Sequence, residues 1–548
     1  MTVTEATAST EPAPPPAATA ASGWAAPVAA AATAGLSLLA WLIADPRTPD
    51  LAAAVYRHDL FGSVGFTVWD NNWYSGHHIP GYSLLFDPLA ALLGLRGVAV
   101  LAVLASSVLF AVLARRHFAA RAAVPASVVF AVAASGDAWI GRLTFALGVS
   151  LGLAAVLAVS HRRIAAAALL AGLCSAASPV AGLFLVLAGV AHLVATRRPA
   201  RGLALALPAL AVAVAMTWLF PEGGNEPFPA SSFIAALAAA LAVAVLMPRQ
   251  ERTLRVGAGL YVVAVIASLI VPGPMGSNVD RLGVLFGLPL LIGARLSWPP
   301  VDRRPRWSLV PIALVAAGLG VWVLWGPVRE GLEVRADPSV NAAYYAPLER
   351  FLAGHLQLPA RVEVPLTRSH WEAALLAERF PLARGWERQL DTRYNGLFFG
   401  GPLTAQSYEA WLRANSVRYV ALPDVPLDSS SRAEARLLRA GAPYLRPVFT
   451  STHWRVWEVL DAAPLARGPG ELTALGRNDF TLRVDTPGRF TVQIHYTRYW
   501  TVTEGRGCVR PAPGGWTTVR AQAPGTLRVT ARFSVKRALG VLASCPAG

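Results

Sequence analysis

The sequence predicts a polytopic α-helical membrane protein of about eleven transmembrane helices, with a C-terminal region made of an α/β unit and a β-sandwich. Three observations predict it. Of the 548 residues, 54% are hydrophobic and only 15% charged, where a soluble chain carries about a quarter charged residues. The apolar excess is concentrated before residue 327, and the remainder reads as an ordinary globular sequence. Between the apolar runs, arginines recur in every second connection.

The elements follow in order. Residues 1–21 are mostly Thr, Ala, Pro and Glu, with Pro12, Pro14, Pro15 and Pro16 close together. Such a segment buries no core and reads as a disordered cytoplasmic tail. It also lacks the basic start of a signal peptide. The transmembrane domain is expected over 22–326. Its first span, 24–44, has roughly the ~20 residues that a bilayer requires. A long polar and aromatic loop, 45–96, follows. Further apolar runs cover about 97–114, 122–135, 143–160, 164–178, 179–195, 203–220, 231–247, 256–272, 282–298 and 308–326. Ser178-Pro179 reads either as a tight re-entry or as a kink in one longer helix.

The net charge is +16. Because the basic residues of the first half sit in short connections, they read as topology signals, and no nucleic-acid partner is expected. Alternate connections hold Arg115, Arg116 and Arg121; Arg162 and Arg163; Arg197, Arg198 and Arg201; Arg249, Arg252 and Arg255; and Arg303, Arg304 and Arg306. By the positive-inside rule these face the cytoplasm. The N-terminus is then inside, the odd span count follows, and residues 327–548 lie outside a plasma membrane. Asp59, Asp70, His77, His78, Asp137, Arg142, Glu222, Glu226, Asn278, Asp280 and Arg281 all sort to the outer loops, so any chemistry faces outward.

Residues 327–462 alternate helix-like and short strand-like stretches, as an α/β domain does. Residues 463–548 show strand composition punctuated by Gly and Pro, at 481–484, 488–495, 516–521 and 525–533, as in a small β-sandwich or barrel. Cys174 lies in an apolar run, whereas Cys508 and Cys545 share the outer region and form a candidate disulfide pair in an oxidising compartment.

The first outer loop is the most informative segment. It carries Asp59, then Asp70-Asn71-Asn72-Trp73-Tyr74-Ser75-Gly76-His77-His78. An aromatic belt accounts for the Trp and Tyr but less well for the acids and imidazoles beside them. One of His77 and His78 together with Asp70 suits a divalent metal ion, and an ordinary hydrogen-bonded loop role suits them too. Arg142 and Arg281 stand at outer boundaries where Arg is scarce. A guanidinium there fits a phosphate, or it snorkels or pairs with Asp137 or Asp280.

An early outer-loop Asp, then a Trp73-Tyr74-x-Gly76-x-x-x-Pro80-Gly81-Tyr82 segment leading into Leu84-Leu85-Phe86-Asp87-Pro88-Leu89, resembles bacterial, actinobacterial-type membrane proteins of the GT-C glycosyltransferase superfamily and their uncharacterised relatives. The resemblance covers residues 24–326 loosely. It implies an inverting glycosyltransferase that takes a sugar from a polyprenyl-phosphate carrier at the outer leaflet and passes it to an envelope glycan or lipid acceptor. It also implies an early-loop carboxylate as catalyst, for which Asp59 is the best positional match and Asp70 the second. Asp59 equally suits a capping role or a pair with Arg57. Substrate contacts are expected from Arg142, Arg281, Asn278, His77, His78, Trp73 and Tyr74. Two other readings stay open: a transporter or flippase of envelope lipid or glycan, and a non-catalytic GT-C-like assembly scaffold.

Overall fold

The computed structural model describes residues 23–196, 198–298, 310–356, 359–541 and 545. The expected tail at 1–21, Arg197, and the connection holding Arg303, Arg304 and Arg306 lie outside the described residues. Helix α1 (Ala25–Ala44) is followed by α2 (Pro49–Val64) and the short α3 (Phe86–Leu93). The remaining apolar runs form α4 (Leu95–His117), α5 (Ala120–Ile140), α6 (Leu143–Ser160), α7 (Ile164–Ala177), α8 (Pro179–Thr196), α9 (Pro199–Leu219), α10 (Ala230–Leu246), α11 (Arg252–Ile270), α12 (Asp280–Ser297) and α13 (Val310–Val334).

Every apolar run is thus helical, the state that satisfies the backbone internally in lipid. Eight of these helices are long and apolar enough to cross a membrane: α1, α4, α5, α6, α8, α9, α11 and α13. Helices α7 and α10 are shorter, and α12 carries Asp280, Arg281 and Arg295. The architecture is that of a polytopic membrane protein.

At Ser178 the chain reverses. A Cβ on Gly182 would lie 2.8 Å from the Ser175 Cα, whereas seven residues of continuous helix would separate them by about 10 Å. A single extended residue, Ser178, therefore joins α7 to an antiparallel α8. Small residues allow the tightest approaches, and a Cβ on Gly189 of α8 would stand 2.7 Å from the Gly202 carbonyl of α9.

Contacts sort the connections to two ends of the bundle. At one end, Arg116 bonds Ser160, His117 pairs with Glu251 at 2.7 Å, and Arg121 donates to the Leu296 carbonyl at 2.9 Å. At the other, Thr48 Oγ1 donates to the Ile140 carbonyl at 2.7 Å, Leu84 N to Ala176 O at 2.8 Å, and the Tyr499 hydroxyl to Leu219 O at 2.9 Å. The second end carries both C-terminal domains.

The first of these has a sheet in the order β3 (Arg361–Glu363), β4 (Val417–Pro423), β6 (Trp454–Val459), β5 (Leu445–Thr450), with β3 and β4 parallel and the other pairs antiparallel. Helices α14 (Ala342–His355), α15 (Glu372–Leu375), α16 (Arg388–Tyr394), α17 (Ala405–Ala414) and α18 (Arg432–Ala440) surround it. The second is a sandwich. One sheet runs β12 (Gly507–Pro511), β13 (Trp516–Ala521), β10 (Gly488–His495), β7 (Ala466–Arg467). The other runs β11 (Trp500–Glu504), β14 (Gly525–Ala531), β9 (Asp479–Val484), β8 (Gly470–Leu475). Inward residues alternate as strand geometry requires: Phe490, Val492 and Ile494 of β10 are all buried. Cys508 is bonded to Cys545, with their Cα atoms 5.0 Å apart.

Candidate active site

The aromatic first loop does not face solvent: it is folded into the cores of both C-terminal domains. Strands β1 (Trp69–Asp70) and β2 (His77–His78) pair into a two-stranded ladder, and nearly every side chain between them is buried. Val68 and Trp69 belong to the core of the sandwich, and Trp73 and Tyr74 to the core of the α/β domain. The physical reason is the residue types themselves. Aromatics supply area, and Asn and Asp satisfy the backbone of whatever closes over them. Asn71 Nδ2 donates to the Gly476 and Asp479 carbonyls, and Asn72 Nδ2 to Ala377 O at 2.7 Å. The Trp73 indole donates to Ala373 O at 2.9 Å, and the Tyr74 hydroxyl accepts from the Glu387 backbone N–H at 2.7 Å.

Asp70 is fully buried: the Tyr56 hydroxyl donates to its Oδ2 at 2.7 Å, and the Arg477 guanidinium lies 3.5 Å from its Oδ1. Burial, and after it the Asp70 charge, hold the Tyr56 phenol well above its usual pKa, so Tyr56 stays a donor. Asp70 is thereby a pin between the loop and the sandwich. His78 bonds Glu222 through Nδ1 at 2.7 Å and Thr497 through Nε2 at 2.9 Å. His77 is buried against Trp73 and Tyr74, and among the described residues neither ring nitrogen has a hydrogen-bond partner. Both imidazoles are buried at the junction of the loop with its neighbours. Among the described residues no three His, Cys, Asp or Glu side chains stand together to hold a metal ion.

A different cluster forms where the bundle meets the α/β domain. Pro49 at the first turn of α2 presets the helical start. The chain leading into it is tied down by Thr48 to Ile140, by Arg47 to the Val340 carbonyl at 2.8 Å, and by the Trp371 indole to the Arg47 carbonyl at 2.8 Å. Gly141, at φ 93°, joins α5 to α6, and a Cβ there would strike Leu51 N at 2.4 Å. This approach sets Asp50 opposite Arg142, whose Nε donates to Asp50 Oδ2 at 3.3 Å. Both side chains stay partly open, 30% and 23% exposed.

Around this pair the charges of Asp137, Asp280 and Glu330 all bear on Arg142. Burial works against its charge, but Asp50, Asp280, Glu330 and Asp137 outweigh that and hold the guanidinium above its usual pKa. Arg281, with its guanidinium 5.5 Å over the Phe145 ring, has a buried Nε that no group among the described residues accepts from. Burial, and after it the like charge of Arg142, lower its pKa from the usual value, against the opposing charges of Asp50 and Asp280. Arg142 and Arg281 thus share one charged recess, the Asp50 carboxylate acting on both. Asn278 stands on the adjoining 271–279 loop, its amide donating to Pro274 O at 3.2 Å. Arg57 pairs with Glu387 at 2.7 Å and lies 3.7 Å over the Tyr82 ring, which fixes the 384–389 segment against α2.

Asp59 does not join this group. At ~100° per residue, the nine positions separating it from Asp50 turn it to the opposite side of α2. It is exposed there, and its pKa is raised by partial burial and by the Glu378 charge. Asp50 and Glu330 escaped the sequence reading. The available signal was Asp50 at the first helical turn after the first span. Glu330 is hidden at the end of the last apolar run.

Glu226, on the 220–229 loop, accepts from Ser277 Oγ at 3.0 Å. Burial raises its pKa from 4.5 to about 7, against the opposing effects of Ser277, Arg388 and Arg281. The folded protein therefore holds this proton more tightly than the unfolded chain does. The stability involved is complete below pH 4.5 and is lost as pH rises through 7. We expect the thermal midpoint of the wild type to fall between pH 5 and pH 8, and Glu226→Gln to flatten that fall. An equal fall in both proteins contradicts the assignment.

No protein-family model matches the sequence, and no curated protein matches it. Solved structures do. A cryo-EM structure of the mycobacterial arabinofuranosyltransferase AftD in a mutant form aligns with a TM-score of 0.46 at 16% identity, over 92% of this chain and 60% of that one. A further AftD structure gives 0.43 at 16% identity, over 92% and 57%. The chain spans about 60% of the length of these neighbours.

Proposed function

We propose that the protein is a membrane glycosyltransferase that moves a sugar from a polyprenyl-phosphate carrier to an envelope glycan or lipid, with the recess around Asp50 as its active site. The observation that carries this reading is the Asp50–Arg142 pair, partly open at the end of the bundle, in one charged recess with Arg281 and its unused Nε donor. A transferase of this class needs a base for the acceptor hydroxyl and cations for the leaving phosphate. Asp50 meets Arg142 through Oδ2 alone, and its other oxygen takes the acceptor proton. The acceptor oxygen then attacks the anomeric carbon from the face opposite the carrier, the bond from that carbon to the phosphate oxygen breaks, and the sugar inverts. The charge that grows on the departing phosphate falls to Arg142 and Arg281, which grip phosphate well.

The reaction side is the outer one in this reading. Two observations support that orientation: the arginine-rich connections gather at the end of the bundle opposite the recess, and the sandwich, which sits at the same end of the bundle as the recess, contains the Cys508–Cys545 disulfide. The test is transfer by the purified protein in nanodiscs, using a panel of polyprenyl-phosphate sugars and envelope glycan acceptors. The expected result is product from at least one donor with inverted anomeric configuration. Carrier binding without transfer across the whole panel overturns the reading in favour of a scaffold.

A further inference from the structure

The sandwich ends in a feature that its own core does not explain. After β14 the chain runs through Arg532 and Phe533 into a single helical turn, α19 (Val535–Ala538), and on to Val541. Ala538 is buried, but Val535 is 61% exposed, Leu539 59% and Val541 72%, with Phe533 also exposed. Four large apolar side chains within nine residues project from the domain, with exposed Arg532 and Lys536 among them.

Their location decides what covers them. The Arg498 guanidinium donates to the Ala538 carbonyl at 2.9 Å and lies 6.0 Å over the ring of Trp218. The Phe533 ring stands 6.1 Å from Phe220 and 5.5 Å from Tyr499, and the Tyr499 hydroxyl donates to Leu219 O. The turn is therefore seated at the end of α9. That helix exposes Leu203, Leu207, Leu210, Val214 and Trp218, a stripe at helical spacing that in a membrane protein faces lipid. The stripe ends at Trp218, 50% exposed, and the apolar turn continues it. Trp, Arg and Lys beside apolar groups at the end of a span mark the interfacial layer.

We propose that residues 533–541 are a membrane anchor. The turn inserts Phe533, Val535, Leu539 and Val541 into the lipid leaflet that surrounds the end of α9, and Arg532 and Lys536 reach the headgroup phosphates. The occupant of this face is the bilayer itself. The sandwich is thereby seated on the membrane at a second point, away from its contacts with the first loop. This inference rests on the transmembrane assignment of α9 and is independent of the transferase reading.

The test uses the full chain in nanodiscs of mixed phosphatidylcholine and phosphatidylglycerol. An environment-sensitive fluorophore is attached at Leu539→Cys, at Val535→Cys in a second protein, and at Thr526→Cys near the far end of β14 as the reference. Quenching by a nitroxide on the lipid chain is compared with quenching by aqueous iodide. The expected result is lipid-chain quenching several-fold stronger, and iodide quenching several-fold weaker, at 535 and 539 than at 526. Iodide access at 535 and 539 equal to that at 526 overturns the proposal. Val535 is exposed and lies farther along the chain from Cys545 than Leu539 does, so its probe decides the matter if Leu539→Cys disturbs the Cys508–Cys545 pair.

Discussion

Asp50→Asn is expected to reduce sugar transfer by about 10²–10⁴-fold, the range over which a positioned general base contributes. The substitution keeps the size of the side chain and its place in the first turn of α2, so the fold remains. What disappears is the proton acceptor and the negative partner of Arg142, 3.3 Å away. The loss belongs to turnover, and the thermal midpoint stays close to that of the wild type. Asp59→Asn is the matched control, since Asp59 lies on the other side of the same helix and outside the recess. Its turnover remains that of the wild type. If Asp59→Asn loses transfer while Asp50→Asn retains it, the site has been placed on the wrong face of α2.

Trp73→Ala is expected to have the largest effect on stability, about 3–5 kcal/mol, as for other fully buried tryptophans truncated to alanine. Its ring stacks on Tyr56 with centroids 4.1 Å apart and donates to Ala373 O. The Arg384–Gln389 segment leans against it so closely that a Cβ on Gly385 would come within 2.5 Å of the indole. Removing the ring takes away the contact between α2, the first loop and the α/β domain together. The measurement is the thermal midpoint of the purified protein, with limited trypsin digestion to show release of the α/β domain. A variant as stable and as protease-resistant as the wild type would show that the loop is peripheral.

The bundle was legible in the sequence because a bilayer imposes its demand locally. A run of Ala, Leu and Val long enough to span has only the helix open to it, and α1, α6, α8 and α10 begin and end within a residue or two of their apolar runs. The beginnings of α9 and α11 lie earlier than expected, at Pro199 and Arg252, because helices continue through the polar boundary. The sandwich was partly legible: β10 and β13 alternate clearly, whereas β8, β11 and β12 are polar on one face and were passed over.

The site was harder to read for a physical reason. Asp, His, Trp and Tyr crowded into 69–78 look the same in sequence whether they do chemistry or hold a junction together, and burial alone decides between them. Asp50, in contrast, stands among ordinary neighbours, and its partner Arg142 is 92 positions away. Only the packing of Gly141 on Leu51 brings the two together. Arg142 and Arg281 could be singled out because arginine is scarce at that boundary, and their charges converge on Asp50 in the folded chain.

The central claim is that this recess holds a lipid-linked phosphate. The most direct measurement is a cryo-EM map of the full protein in nanodiscs with a polyprenyl monophosphate added. The account predicts phosphate density against the guanidinium groups of Arg142 and Arg281, beside Asp50, with the prenyl chain leaving into the bilayer. Phosphate density at the Asp59 face of α2, or a recess unchanged at saturating lipid, would contradict it.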